Sequence, residues 1–352
     1  GYGSSASSYE GSAPTATLGN TTAALRNGAG CTETDNNGTD FNTGAPAPRN
    51  AATPFGSCTG GGGGGGMRIH DIQGAAHISP LNGQAVANVE GIVTAKSTTG
   101  FYMQDPAPDA DPATSEGILV YTATAPAVNV GDKVSVGGNV SEYRSGGTGG
   151  TNNLTTTEIV SPSVSVLSSG NPLPAALVIG TGGRVPPRQV IDNDANGSVE
   201  SGGSFDAASD GIDFYESLEG MRVQLNNAVA VGPTSTYGEI PVIGDFGVNA
   251  GLRTPRGGIV IAANDFNPER VIIDNALQAT PSVSVGDWFG SVVGVMDYSF
   301  GAFKLQATEP PLAVTGNLAP EIAAPQAANE LAVASFNVEN LDPNDPQLKF
   351  DT

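Results

Sequence analysis

Oxygen-bearing side chains recur at metal-ligand spacing in the segment from Asp192 to Asp206. The run Asp192, Asp194, Asn196 and Gly197 matches the first half of an EF-hand calcium loop, with glycine at the sixth position. The twelfth position, which needs a bidentate Glu, is Gly203, and no helical pattern flanks the segment. We therefore expect a calcium-stabilised β-loop or a bare acidic turn, and the candidate calcium ligands are Asp192, Asp194, Asn196, Glu200 and Asp206.

The histidines and the basic residues carry no pattern that predicts a catalytic or nucleic-acid site. His70 and His77 share one short segment without a paired Ser or Cys, so we expect structural roles and no hydrolytic triad. Binding of single-stranded nucleic acid needs aromatic side chains along a basic groove. The second module has only a modest positive group, Arg222, Arg253, Arg256 and Arg270, and most aromatic residues are expected in the core.

The end of the chain, residues 331–341, combines an apolar run with a polar Asn-Val-Glu-Asn. Apolar β-branched residues followed by polar ones predict a buried strand that ends in a functional loop. An ordinary strand followed by a turn is the alternative. Asn337 and Glu339 are the candidate functional residues of this segment.

This last segment resembles the opening strand of the endonuclease/exonuclease/phosphatase family. The resemblance implies that Asn337 helps to hold phosphate and that Glu339 can join a Mg or Ca site. The remaining motifs of that family do not occur in this chain. Asn337 and Glu339 would therefore be a partial catalytic site, and we expect the fragment alone to be inactive.

Composition is typical of a secreted all-β protein rather than of a nucleic-acid-binding domain. The chain has 352 residues with 14 Lys+Arg against 35 Asp+Glu, a formal net charge of −21. Such a surface repels phosphates and favours cations as partners. Cys31 and Cys58 are the only cysteines, and one disulfide between them would indicate an oxidising compartment, extracellular or at the cell surface. No apolar run is long enough to span a bilayer.

One strand pattern occurs twice. Val130-Gly131-Asp132 leads to Tyr143, and Val285-Gly286-Asp287 leads to Tyr298, with the same Gly-to-Tyr spacing of 12 (143 − 131 and 298 − 286). The offset is 155 at these turns but 137 between Gly83 and Gly220, so the second copy has about 18 extra residues between them. We predict an all-β chain with two Greek-key barrels of the oligonucleotide/oligosaccharide-binding (OB) type.

The order of segments resembles the region in front of the catalytic domain of large secreted bacterial nucleases. Residues 1–59 resemble the end of a lamin-tail domain, an immunoglobulin-like β-sandwich, and the Gly run at 60–66 predicts a flexible linker. The predicted modules follow in this order: a first OB-like module at 67–180, a second with an acidic insertion at 181–309, a Pro/Ala linker at 310–330, and a truncated nuclease strand at 331–352.

Two functions are compatible with these features. The first is a non-catalytic accessory region of a secreted metal-dependent nuclease that reaches DNA through the full-length protein. The alternative is an extracellular structural or adhesive module that forms a homo-oligomer, polymer or filament, because an incomplete sandwich can accept a strand from a neighbour.

Overall fold

The computed structural model describes residues 9–12, 14–27, 36–46, 67–319, 322, 324–331 and 333. The chain divides into two compact units, Gly1–Asn317 and Leu318–Thr352. The residues described in the second unit form neither helix nor strand. Cys31, Cys58, Asn337, Glu339 and the Gly linker at 60–66 all lie outside the described residues.

The N-terminal part of the first unit contains a two-stranded sheet. Strand β1 (Ala23–Arg26) pairs antiparallel with β2 (Phe41–Gly44), and the single helical turn α1 (Asn37–Asp40) precedes β2. The guanidinium of Arg26 lies 4.5 Å from the centre of the Phe41 ring. Within residues 9–46, as far as they are described, no third strand joins this pair, so the immunoglobulin-like sandwich stays a prediction.

The first barrel has five strands that close on themselves. After helix α2 (Ile69–Gln73) come β3 (Ala85–Lys96), β4 (Gly100–Gln104), β5 (Gly117–Tyr121), β6 (Lys133–Arg144) and β7 (Thr155–Ser168). The barrel order is β3-β4-β5-β7-β6; only β5 and β7 run parallel. Alternating apolar residues fill its interior, and Ile69 and Ile72 of α2 join that core.

The second barrel repeats this topology. Strand β8 (Leu177–Ile179) and helix α3 (Gly211–Glu216) precede β9 (Arg222–Ala230), β10 (Ile240–Ile243), β11 (Val271–Asp274), β12 (Trp288–Ser299) and β13 (Ala302–Ala307). Strand β12 pairs with both β9 and β13, while β11 and β13 run parallel, so the circuit closes as β9-β10-β11-β13-β12. This is the OB strand order, and the predicted all-β class with two OB-like barrels is confirmed.

The Gly-Asp turns have the same hydrogen bonds in both barrels. Gly131 (φ 87°) donates its N–H to the Val93 carbonyl at 2.9 Å, and Gly286 (φ 88°) donates to the Ala230 carbonyl at 2.8 Å. The following carboxylates, Asp132 and Asp287, each accept the backbone N–H three residues back at 2.8 Å. The offsets are 155 (286 − 131) and 137 (230 − 93), the two values found in the sequence.

Two short strands lie near the predicted module boundaries. Strand β8 ends just before the predicted boundary at 180 but pairs parallel with β9, so it belongs to the second sheet. Strand β14 (Ala313–Val314) lies in the predicted 310–330 linker and pairs with the start of β12. The start of the Pro-rich segment is therefore paired with the second barrel.

Candidate functional site

The acidic insertion before α3 brings three carboxylates together. Asp192, Asp194 and Asp210 can each present one oxygen so that all three lie within 4.8 Å of one another. Asp210 is only 1% exposed, and Asn193 Nδ2 donates to its Oδ1 at 2.8 Å. Burial, followed by the charges of Asp213 and Asp192, raises the pKa of Asp210. We call this grouping the acidic loop site; its carboxylate oxygens are ligands of the type that calcium takes.

The acidic loop site contains only part of the predicted ligand set. Asp192 and Asp194 lie in it, whereas Asn196 is exposed and Asp206 Oδ1 accepts the N–H of Ala208 at 3.1 Å. The Glu200 carboxylate instead accepts the Thr155 N–H at 2.7 Å and pairs with Arg144 of the first barrel. Sequence reasoning did not find Asp210, because it lies well beyond the EF-like spacing.

The residue at the twelfth position of the EF-like pattern has a steric explanation. Gly203 has φ 89°, and a Cβ there would lie 2.6 Å from Asp194 Oδ1. The backbone N–H of Ser204 donates to the same carboxylate at 3.1 Å. The chain therefore bends tightly against Asp194, and a glutamate at 203 would not fit.

A cavity of about 360 Å³ lies beside the acidic loop site. Its lining includes His77, Asp192, Glu200, Phe205 and Asp213. The Phe205 ring meets the His77 imidazole edge-on with 5.4 Å between the centroids. The cavity is thus bordered by carboxylates and one imidazole.

His77 is held between two carboxylates of α3. Its Nε2 lies 2.7 Å from Asp213 Oδ1 and its Nδ1 lies 3.3 Å from Glu216 Oε2. Burial by itself lowers the pKa of His77, but the bonds to Asp213 and Glu216 outweigh it and raise the pKa to about 9. At neutral pH this residue is therefore an imidazolium that ties the loop after α2 to α3. This geometry fits the structural role expected for it.

The two barrels share a buried interface with polar bonds. The Tyr102 hydroxyl donates to Asp297 Oδ1 at 3.0 Å, and the Arg222 N–H donates to Gln104 Oε1 at 2.7 Å. Ala95, Tyr102 and Val295 form a small apolar cluster beside these bonds. The outer face of β4 and β5, which OB barrels use for oligomeric ligands, is therefore covered in the first barrel.

Two glycines bring the barrels into backbone contact. A Cβ on Gly117 would lie 2.1 Å from the carbonyl carbon of Gly220. Gly220 itself has φ 71°, and a Cβ there would lie 2.7 Å from the carbonyl carbon of Gly117. Neither position accepts a side chain without separating the two barrels.

Glu219 lies at the centre of this interface. It is 4% exposed, and its Oε1 accepts the Thr157 N–H at 2.9 Å and Gln73 Nε2 at 3.3 Å. Its Oε2 is buried without a hydrogen-bond partner, as is Oε2 of Glu142. Burial, with the charges of Glu216 and Glu142, raises the pKa of Glu219 well above its usual value. In the sequence, Glu219 only precedes a predicted strand, and nothing there indicates that it is buried between the barrels.

A second carboxylate group surrounds His70. His70, Asp105 and Glu116 can present ligand atoms within 4.8 Å of one another. Arg68, however, binds both oxygens of Asp105, and the Asp109 N–H occupies Glu116 Oε1 at 2.8 Å. His70 Nδ1 lies 3.1 Å from Glu116 Oε1. These contacts fix the start of α2 against the first barrel and leave few free oxygens for a metal.

The Arg group suggested by the sequence does not line a groove. Arg222 directs its guanidinium to the Pro174 carbonyl at 3.1 Å. Arg253 holds the long β10–β11 connection by donating to the carbonyls of Phe246 and Gly257, each at 2.8 Å. Within the described ranges, no helix is long and apolar enough to cross a membrane.

Residues 178–316 match a family model described as a domain of unknown function, DUF8508. This region contains the whole second barrel, β14 and the last two residues of β8. The match covers less than half of the 352 residues. Neither the curated proteins nor the solved structures gave a match.

Proposed function

We propose that this chain is the non-catalytic accessory region of a secreted, metal-dependent nuclease, and that it positions the enzyme or its substrate. The proposal rests on one observation: the second barrel covers the outer face of β4. Asp297 and Arg222 of the second barrel make the contacts, and Tyr102 of β4 donates to Asp297. While its ligand face is occupied by another barrel, an OB barrel serves as a packing partner and does not read oligonucleotides through that face.

The surface charge also supports a role for this chain other than DNA binding. With a net charge of −21, the chain has little long-range attraction for phosphates, so the catalytic domain would have to supply DNA contact. Asn337 and Glu339 are the members of a partial phosphodiesterase site that the resemblance assigns to this chain. In that site a Mg or Ca ion would activate water.

The experiment that tests this proposal compares cleavage by three proteins. The chain of residues 1–352 is expected to leave DNA intact with Mg or Ca, whereas the full-length secreted protein is expected to cut it. In the full-length protein, Asn337→Ala is expected to lower cleavage by at least about a hundredfold, since it removes a phosphate contact made in the transition state. Cleavage by residues 1–352 alone, or full activity of the Asn337→Ala protein, would contradict the proposal.

A structural calcium ion is part of this proposal. The acidic loop site offers carboxylate oxygens of Asp192, Asp194 and Asp210, and it lies in the insertion that packs against the first barrel through Glu200. Calcium there would neutralise negative charge and stiffen the insertion. Calorimetric titration of calcium into the chain tests this part of the proposal.

An assembling surface module is the second candidate, and one observation favours it. The sheet of β1 and β2 has only two strands among the described residues, and an isolated two-stranded sheet is marginally stable in water. Strand donation by another copy of the chain would complete it. Sedimentation at rising protein concentration, with and without calcium, is expected to show oligomers if this candidate holds. A monomer under all conditions would exclude it.

A further inference from the structure

The interface between the barrels contains more buried acid than base. We define the interface cluster as the carboxyls of Glu142, Glu158, Asp213, Glu216, Glu219 and Asp297 together with the imidazole of His77. Glu158, Glu216 and Glu219 are 6%, 6% and 4% exposed. Burial of several ionised carboxylates with one imidazolium is costly, because uncompensated charges lose their hydration.

The cations that border the interface cluster are bound elsewhere. Lys304 Nζ contacts Glu239 and lies 3.2 Å from Asp274. Arg222 donates to the Pro174 carbonyl, and Arg184 donates to Ser217 Oγ at 2.9 Å. His77 is already shared between Asp213 and Glu216. Glu142, Glu158 and Glu219 therefore have no cationic partner among these groups.

A single metal ion does not fit the interface cluster. The groups of the described chain whose ligand atoms come within 4.8 Å of one another are the acidic loop site and the one around His70, and neither includes Glu142, Glu216 or Glu219. The buried Oε2 atoms of Glu142 and Glu219 nevertheless have no hydrogen-bond donor, and Oε2 of Glu216 lies beside only the shared His77 Nδ1, at 3.3 Å. A proton on a carboxyl removes its charge without requiring an ion, so protons are the ligands that fit.

We propose that the interface cluster is a proton-controlled contact: the barrels stay together while Glu158, Glu216 and Glu219 are protonated, and they separate when these groups ionise. Separation uncovers the outer face of β4, including Tyr102, which the second barrel otherwise covers. The chain thereby exposes or hides an OB ligand face according to pH.

The pKa directions agree with this geometry. Burial raises the pKa of Glu158 to about 7, with further increases from Glu142 and Asp297. Burial also raises the pKa of Glu216 to about 7, although the bond to His77 opposes it. Burial raises the pKa of Asp297 to about 6, although the hydrogen bond from Tyr102 opposes this increase. These carboxyls ionise in the neutral range, where an exposed Glu is already fully charged.

Hydrogen exchange of individual amides tests the proposal in the whole chain, with a chelator present so that no calcium contributes. The Arg222 and Thr157 amides donate across the interface, and the Gly286 amide donates within the second barrel. Between about pH 5.5 and about pH 8.5, the opening equilibrium of the first two amides is expected to rise about tenfold, after correction for intrinsic exchange. Gly286 is expected to change little. An equal rise at all three amides, or no rise at the interface, overturns the proposal.

Glu219→Gln and Glu158→Gln separate ionisation from packing, since glutamine keeps the shape without the charge. Each is expected to reduce the pH-dependent rise at Arg222 and Thr157, whereas the exposed control Glu309→Gln is expected to keep it. Two variants are used so that a folding defect in one leaves the other as the test. Retention of the full rise in the folded glutamine variants overturns the proposal. A last test adds calcium to Asp194→Asn, in which the acidic loop site is weakened. If calcium restores protection of the Arg222 and Thr157 amides at about pH 8.5, a cation can replace the proton at the interface, and the proposal is overturned.

Discussion

Glu158 and Lys304 occupy corresponding positions in the two barrels, yet only one of them has a partner of opposite charge. In the parallel strand pairs, Glu158 lies opposite Leu119 and Lys304 lies opposite Ile272. Each precedes a fully buried core residue, Ile159 or Leu305. Lys304 pairs with Glu239 and Asp274, whereas burial and the charges of Glu142 and Asp297 raise the pKa of Glu158.

This difference shows how one topology serves two roles. In the second barrel, the buried lysine has carboxylate partners on β11 and in the segment before β10, so its charge is compensated inside that barrel. In the first barrel, the corresponding carboxylate faces acidic neighbours at the interface. The corresponding position is therefore charge-compensated in the second barrel and is an uncompensated buried acid in the first.

The largest expected effect comes from the backbone contact that joins the barrels. Gly117→Ala places a Cβ about where the Gly220 backbone lies, so the barrels must separate or distort. We expect the free energy of unfolding to fall by about 3 kcal/mol or more. Gly149→Ala is the matched control, because a Cβ there has nothing within 4 Å. Urea unfolding measures both variants, and equal stabilities would contradict the close approach.

Removal of the charge at Lys304 and at Glu158 is expected to change the free energy of unfolding in opposite directions. Lys304→Met leaves Glu239 and Asp274 without their cation and is expected to cost about 3 kcal/mol, since Asp274 is buried. Glu158→Gln removes an unpaired buried acid and is expected to be neutral or to stabilise by about 1 kcal/mol above pH 7. Chemical denaturation of both variants gives the sign directly. A destabilising Glu158→Gln of similar size would remove the distinction between the barrels.

The shared Gly-Asp turns are expected to respond alike. Asp132→Ala and Asp287→Ala each remove an acceptor for the N–H three residues back, so both should lower the thermal midpoint by similar amounts. The pKa of both carboxyls is lowered: for Asp132 chiefly by the hydrogen bond to Ser169, for Asp287 by backbone N–H groups. Their stabilisation is thus present above the unfolded pKa and is lost as the pH falls below it. Asp111→Ala in an exposed loop is the control.

Only the second module has the acidic insertion, so calcium binding is expected there. Its loss is expected to have the smallest effect on stability. Isothermal titration is expected to show one calcium ion bound by the wild-type chain and about tenfold weaker binding by Asp194→Asn. Asp111→Asn, an exposed loop residue outside the acidic loop site, is expected to bind normally. Equal calcium affinity in Asp194→Asn and Asp111→Asn would show that calcium does not bind at the acidic loop site.

The sequence predicted the barrels well because their signals are local. Gly131 and Gly286 need left-handed φ values at turns that recur with fixed spacing to Tyr143 and Tyr298. The correspondence of Glu158 with Lys304 was hidden, because its offset of 146 (304 − 158) is 9 shorter than that of the turns. The β6–β7 connection has 10 residues (145–154) and the β12–β13 connection has 2 (300–301), which accounts for eight of the nine residues.

Contacts between distant segments could not be predicted from one sequence. Nothing local indicates that Gly117 touches Gly220 or that Tyr102 reaches Asp297. In the acidic loop site, Asp192 and Asp194 were found by spacing, but Asp210 enters from the start of α3. Long-range register, rather than composition, decides which polar groups meet.

The pH dependence of thermal unfolding tests the account most directly. Unfolded Glu216 loses its proton near pH 4.5, whereas the folded group keeps it to about pH 7, so the free energy of unfolding falls as pH rises across that window. The raised pKa of His77, from 6.5 to about 9, acts in the same direction, because its stabilisation is complete below 6.5 and is lost as the pH rises through 9. Calorimetry with a chelator should therefore give a midpoint about 5 °C or more lower at about pH 8.5 than at about pH 5.5. A midpoint that is unchanged or higher at alkaline pH would contradict an interface held together by protonated carboxyls.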